Sequence, residues 1–229
     1  MYTLHIANKL YSSWSMRPWV LMRELGLPFQ ECMHRFGDAA DWAAYRNVAP
    51  AGKVPCLVDG DVVVWDSLSI VEYLGESHPS VWPADATARA WARSAVAEMH
   101  SGFQALRQHC SMHCGWRVRL HEVPDSVVRD VERIQALWAQ GLTLFGGPYL
   151  AGDQFTAVDA FFAPVALRFQ TYGLPLSPTA QPYWERLLRV PAVQDWVAQA
   201  LREPEPDPAH EQDILSVGTV LQDLRIPPV

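Results

Sequence analysis

Tyr11-Ser12-Ser13-Trp14-Ser15-Met16-Arg17-Pro18 is the stretch on which the fold turns, because two different periodicities meet there. Upstream, Tyr2, Leu4 and Ile6 alternate on one face, as a strand does. Downstream, an apolar run over residues 15–25 predicts a helix, which Gly26 and Pro28 end. A serine-rich turn therefore lies where a strand feeds a helix. The free amides and the dipole of such a terminus favour an anion. A hydroxyl placed there can also donate to a thiolate, and both effects lower a thiol pKa from its free value of about 8.5. Serine is equally a favoured N-cap, so the turn taken alone is explained by capping.

Working outward, residues 29–33 predict a second strand. Cys56-Leu57-Val58-Asp59 and Val62-Val63-Val64-Trp65 flank Gly60-Asp61, a hairpin signal. A helix is expected over 67–75, before His78-Pro79. The order strand, helix, strand, loop, hairpin, helix predicts a mixed four-stranded sheet with helices packed on it. Two further segments can bind. In Ala49-Pro50-Ala51-Gly52-Lys53-Val54-Pro55-Cys56, Pro55 precedes a strand without supplying an amide donor. A cis bond before it would turn the amide and carbonyl of Val54 outward, towards an extended peptide; roughly one X-Pro bond in twenty is cis. In Trp65-Asp66-Ser67-Leu68, Asp66 or Ser67 can cap the next helix and leave an amide and a hydroxyl for a carboxylate, while Asp66 attracts an ammonium group.

From residue 84 on, strand signals stop. Trp91, Ala95, Met99, Phe103, Leu106 and Cys110 recur at steps of three and four, predicting one long amphipathic helix. Val127, Val131, Ile134, Trp138 and Leu142 predict a second, and Phe161, Phe162, Val165 and Phe169 a third. Leu187 and Leu188, then Val193, Trp196, Val197 and Leu201, predict two shorter ones around Pro191. Trp82-Pro83-Ala84-Asp85 is the expected linker between a sheet domain over residues 1–80 and an all-helical domain over residues 87–229. After Leu201, Glu203-Pro204-Glu205-Pro206-Asp207-Pro208 cannot continue a helix, so the tail is expected to wrap the surface or be partly disordered.

The bulk properties exclude several classes. Of the 229 residues 49% are apolar and 19% charged, an ordinary globular balance. A net charge of -7 argues against a nucleic-acid partner. No apolar run approaches the roughly 20 residues of a membrane span. The start, Met1-Tyr2-Thr3-Leu4-His5-Ile6, lacks the pattern of a signal peptide, and a cytoplasmic protein is expected. Cys32, Cys56, Cys110 and Cys114 are too few and too scattered for a disulfide scaffold, so free thiols are expected.

The serine turn, the Val-Pro before the third strand and the acidic-Ser pair before the third helix, in this order and spacing, resemble the glutathione site of glutathione transferases. The turn is most similar to the zeta class, whose motif is Ser-Ser-Cys-Ser-Trp-Arg. Tyr149-Leu150-Ala151-Gly152-Asp153-Gln154-Phe155-Thr156-Ala157-Val158-Asp159 resembles that family's Gly-Asp-x-x-Thr-x-x-Asp segment. By its own chemistry it is a capping box, with Thr156 as N-cap and Asp159 three residues on. The resemblance implies a thioredoxin-like first domain, a cis Pro55, glutathione as co-substrate, no metal, and a homodimer. Carried over, Ser12 activates the thiol and Ser13 neighbours it. Lys53 and Val54, with Pro55, hold the cysteinyl-glycine part, Asp66 and Ser67 hold the gamma-glutamyl end, and Arg17 is structural.

Where the chain departs from the motif, the expectations change. Trp14 stands in place of the zeta cysteine, which disfavours thiol-disulfide chemistry. Lys53 stands where zeta enzymes usually carry glutamine. The arginine with which zeta isomerases hold a dicarboxylate falls by count at Thr171, with Arg168 one turn early. Conjugation of glutathione to a small electrophile is therefore expected. A cis-trans isomerase of a maleyl-type dicarboxylate, or a non-catalytic binding protein with Trp14 filling the site, are the alternatives. Met99, Phe103, Arg107, Cys110, Trp116 and Arg168 are the candidates for the second-substrate pocket, and Arg107 suits a carboxylate. His109/His113 and Cys110/Cys114 would form i, i+4 pairs on a helix, but the cysteine face continues the apolar stripe, so burial rather than metal binding is expected.

Overall fold

The computed structural model describes residues 1–49 and 51–226. Pro50, quoted above with the Val54-Pro55 segment, and residues 227–229 of the tail lie outside the described residues. The chain begins with β1 (Tyr2–Ala7), α1 (Ser13–Glu24), β2 (Phe29–His34), α2 (Ala39–Tyr45), β3 (Cys56–Asp59), β4 (Val62–Val64) and α3 (Ser67–Ser77). The strands form one sheet in the order β2-β1-β3-β4. β2 runs parallel to β1, while β3 runs antiparallel to both β1 and β4. This is the expected mixed four-stranded sheet. Gly60, at φ +58°, makes the two-residue turn of the hairpin possible. The short α2 has no sequence forecast; its start is marked by Asp38, whose carboxylate accepts from Asp41 N at 3.0 Å.

The second half holds α4 (Ala86–Ser101), α5 (Gln104–His109), β5 (Trp116–Leu120), α6 (Asp125–Phe145), α7 (Ala157–Tyr172), α8 (Gln181–Arg189), α9 (Pro191–Ala200), α10 (Pro208–Val217) and β6 (Gly218–Asp223). α7 is the central element, buried at every position except Gln170. Its capping box is formed as expected. Asp159 accepts from Thr156 N at 3.0 Å, and its other oxygen takes Leu150 N at 3.1 Å and Tyr183 OH at 2.9 Å. α1 packs on α7 and α9, where Trp19 and Trp196 meet edge to face with ring centres 5.2 Å apart. Among the described residues no helix is long and apolar enough to cross a membrane.

Two expectations need correction, and a third, the course of the tail, is narrowed to one of its two alternatives. The helix predicted through residues 91–110 is broken at Gly102-Phe103, with Phe103 in the left-handed region at φ +59°. Arg107 secures the break by donating to the carbonyls of Met99, His100 and Gly102, at the open end of α4. The helical half also contains a two-stranded sheet, in which β5 pairs antiparallel with β6. The alternation of Trp116, Val118 and Leu120 with Arg117 and Arg119 is its sequence signal. The tail is ordered through residue 226 as α10 and β6, and it returns to the first domain rather than lying loose.

Candidate active site

Ser12 is the N-cap residue of α1, yet its side chain makes no capping bond. Its Oγ donates to Ser15 Oγ at 2.7 Å, and Ser15 Oγ also accepts from Ala7 N at 3.2 Å. Hydroxyl protons rotate to suit their partners, so a bound thiolate can reverse this pair: Ser15 then donates to Ser12, and the Ser12 proton turns outward. Ser13 Oγ accepts from Arg168 Nη2 at 3.2 Å, which leaves the Ser13 proton free to donate.

The Val54-Pro55 bond is cis, as the resemblance implied. Among the described residues the main chain of Val54 has no hydrogen-bond partner. The loop before it is fastened by Tyr45, whose OH donates to Lys53 O at 2.9 Å. Asp66 is the N-cap of α3 and accepts from Leu68 N at 2.9 Å, while its other oxygen lies 3.2 Å from His100 Nε2. Ser67 is fully buried, and its hydroxyl accepts from Arg17 Nη1 at 3.2 Å.

One cavity of about 650 Å³ collects these pieces. Of the sequence-predicted residues, Ser12, Ser13, Lys53, Val54, Pro55, Asp66, Arg107 and Arg168 line it. Met99, Phe103, Cys110 and Trp116 do not: all four are buried in the hydrophobic core. Met99 and Phe103 stand before and at the break with their side chains in the core, Cys110 follows the end of α5, and Trp116 lies on β5 rather than on a helix. The cavity adds residues that the sequence did not single out, namely Tyr11, Phe36, Trp42, Trp65, Ser111, Met112 and His210. His210 comes from the tail. Tyr11 holds it there: its OH donates to Glu211 Oε1 at 3.1 Å and accepts from Asp207 N at 3.1 Å, and its ring stacks on His210 at 5.0 Å.

The electrostatics beside the serines are lopsided. Arg17 and Arg168 are buried and Arg107 is partly so. Among the described residues, every hydrogen bond they make goes to a carbonyl or hydroxyl oxygen and none to a carboxylate. Arg17 Nε and Arg107 Nη1 are buried with no hydrogen-bond partner among the described residues. Burial, then repulsion from Arg107, lowers the Arg168 pKa to about 10. Burial, then repulsion from Arg107 and Arg168, pulls Arg17 well below the usual range. Trp14 is braced by two of these cations, with Arg17 at 4.1 Å and Arg107 at 4.8 Å from its ring centre.

The His109–Cys114 segment is not helical past His109. His113 Nδ1 accepts from the amides of Gly115 and Trp116, at 3.1 and 3.0 Å, and Cys114 Sγ donates to Lys9 O. Cys110 and Cys114 are buried, as expected, and all four cysteines are free thiols.

Comparison with known proteins agrees with this geometry. Residues 11–77 match the model of the glutathione S-transferase N-terminal domain, and residues 88–199 that of the C-terminal domain. Glutathione S-transferase Z2 of Arabidopsis thaliana is 27% identical over 87% of this chain and 92% of its own. A probable maleylacetoacetate isomerase of Caenorhabditis elegans is 29% identical over 80% of this chain and 89% of its own. The crystal structure of a glutathione transferase homolog from Burkholderia gl BGR1, with bound glutathione, superposes with a TM-score of 0.64 at 25% identity, covering 87% of this chain and 97% of that one.

Proposed function

Because the chain belongs to the glutathione S-transferase family, we propose that it conjugates glutathione to a small electrophile, with Ser12 holding the sulfur as thiolate. One observation carries this reading. Ser12 sits at the N-terminus of α1 with its hydroxyl unused by capping, and it opens on the same cavity as Val54 and Asp66. Glutathione is the co-substrate. Lys53 and Val54, beside Pro55, take its cysteinyl-glycine part by main-chain pairing. The Asp66 carboxylate takes the gamma-glutamyl ammonium, and the main chain at Ser67, on the first turn of α3, faces its carboxylate.

Binding brings the thiol against Ser12, where the hydroxyl and the amides of α1 stabilise its anion and release its proton to solvent. The sulfur then attacks an electrophilic carbon. A C–S bond forms, and the leaving group departs with its electron pair. Ser13 is the neighbouring donor. Arg107, Arg168, Ser111, Met112 and His210 shape the electrophile side. Residues 1–80 thus bind the thiol and residues 87–229 the electrophile, in a homodimer that sets the first domain of one subunit against the helical domain of the other.

A second reading is favoured by the arginines. Arg107 and Arg168 line the cavity with no carboxylate partner among the described residues, which suits a dicarboxylate. The same thiolate could add to a maleyl-type double bond, allow rotation and leave again, as the name of the Caenorhabditis elegans relative suggests. Turnover of a maleyl dicarboxylate against a chlorodinitrobenzene-type electrophile separates the two. A non-catalytic role is less well supported, because Trp14 is held back by Arg17 and Arg107 and a cavity of about 650 Å³ remains. Calorimetric titration with reduced glutathione tests the whole reading: micromolar to millimolar binding is expected, and absence of heat and of thermal stabilisation contradicts it.

A further inference from the structure

β1 and β2 carry a second chemical cluster behind the cavity wall. His5 on β1 is the register partner of Cys32 on β2, and His34 lies two residues further along β2, so all three side chains leave the same face of the sheet. Their ligand atoms lie within 4.8 Å of one another. His5 Nδ1 is 2.9 Å from His34 Nε2, and Cys32 Sγ is 3.8 Å from the same nitrogen. A tetrahedral zinc ion, with bonds of about 2.0–2.1 Å to nitrogen and 2.3 Å to sulfur, sets these separations near about 3.3 and 3.6 Å. Shifts of a few tenths of an ångström bring these two separations to the zinc values, and the third, from His5 to Cys32, is within 4.8 Å.

The outer shell is in place as well. His34 Nδ1 lies 2.8 Å from Asp41 Oδ2. With Nδ1–H donated to Asp41, the neutral ring turns the lone pair of Nε2 towards His5 and Cys32. Metal-binding histidines are held by a carboxylate in this way. His5 and His34 are 8% and 6% exposed, while Cys32 is only half-buried, so the open side of the cluster is the cysteine side. One thiol and two imidazoles form a donor set for zinc more than for magnesium or calcium.

We propose that His5, Cys32 and His34 form a three-ligand zinc site, oriented by Asp41, with its fourth position open to water. Binding requires two proton movements. The Cys32 thiol proton leaves to solvent, and the proton that His5 shares with His34 moves to His5 Nε2. The site is coupled to the cavity through α2, which carries Asp41 and also Trp42, a cavity-lining residue 6.1 Å between ring centres from His34. Occupancy would clamp α2 to the sheet and steady that wall. The proposal does not depend on the reading of the cavity, and its test does not use turnover.

Metal-stripped full-length protein is titrated with Co²⁺, a spectroscopic stand-in for zinc, and then with Zn²⁺. The expected result is one Co²⁺ per chain with a thiolate-to-cobalt charge-transfer band, displaced by Zn²⁺, and a higher Tm with Zn²⁺ bound. Cys32→Ser should abolish the band. Asp41→Asn should weaken cobalt binding by on the order of tenfold. Without metal, both variants should keep the parent's circular dichroism and glutathione affinity. A band that survives Cys32→Ser, or no band at excess cobalt, overturns the proposal and leaves His5 and His34 as a buried hydrogen-bonded pair.

Discussion

Arg168 Nη2 donates to Ser13 Oγ at 3.2 Å, joining residues 155 positions apart in the chain. The same guanidinium holds Cys110 O at 2.8 Å, so the central helix α7 fixes both the first turn of α1 and the segment after α5. It is also a cation on the cavity wall with no carboxylate partner among the described residues. Arg168→Met should therefore lower kcat/KM for a carboxylate-bearing electrophile by roughly ten- to a hundredfold more than for a neutral one, the loss of a charge-assisted bond of about 1.5–3 kcal/mol. Parallel kinetics on the two substrates check it. An equal loss on both would make Arg168 a structural brace only.

Asp66 has two separable roles, as α3 cap and as anion. Asp66→Asn keeps an oxygen for Leu68 N, so stability should stay within about 0.5 kcal/mol of the parent. Glutathione affinity should nevertheless fall by about tenfold, since the charge facing the ammonium is gone. Asp66→Ala should lose affinity and, in addition, about 1 kcal/mol of stability. Calorimetry for binding and denaturant melts for stability separate the two effects.

Tyr11→Phe tests how the tail is held. It removes the bonds to Glu211 Oε1 and from Asp207 N, worth about 1 kcal/mol each. The tail should become more open to proteolysis before the rest of the chain. KM for the electrophile should rise, because these bonds help to hold the segment that carries His210 at the cavity.

His113 gives the protein an acid-sensitive core. Burial, and next the Arg225 guanidinium, lower its pKa from 6.5 to about 3. The unfolded chain protonates it near about 6.5, so as pH falls from there towards 3 the unfolded state takes up a proton that the fold refuses. The stability His113 contributes is thus full above about 6.5 and declines by up to about 1.4 kcal/mol per pH unit below it. Denaturant melts at neutral pH and at about pH 4.5 should show this slope, and His113→Asn should flatten it.

The sequence revealed what short-range rules govern. The strand into the serine turn, the Gly60-Asp61 hairpin and the Thr156-Asp159 box are each local, and each formed as read. The continuous helix through Cys110 was misread because the apolar steps run straight across the break. What stops α4 is a left-handed Phe103 and a guanidinium folded back on its last carbonyls, neither of which has a periodicity. Tyr11 and His210 meet across 199 residues, a relationship no spacing rule reaches. α2 escaped because seven residues show less than two full turns of pattern.

The central claim is that Ser12 holds the glutathione sulfur as thiolate. It is tested most directly by titrating, through thiolate absorbance, the thiol of glutathione bound to the parent and to Ser12→Ala. The account predicts a pKa well below the free value of about 8.5 in the parent, restored towards it in Ser12→Ala while glutathione affinity changes by only a few-fold. An unchanged low pKa in Ser12→Ala would contradict the account and move the role to Ser13 or Ser15.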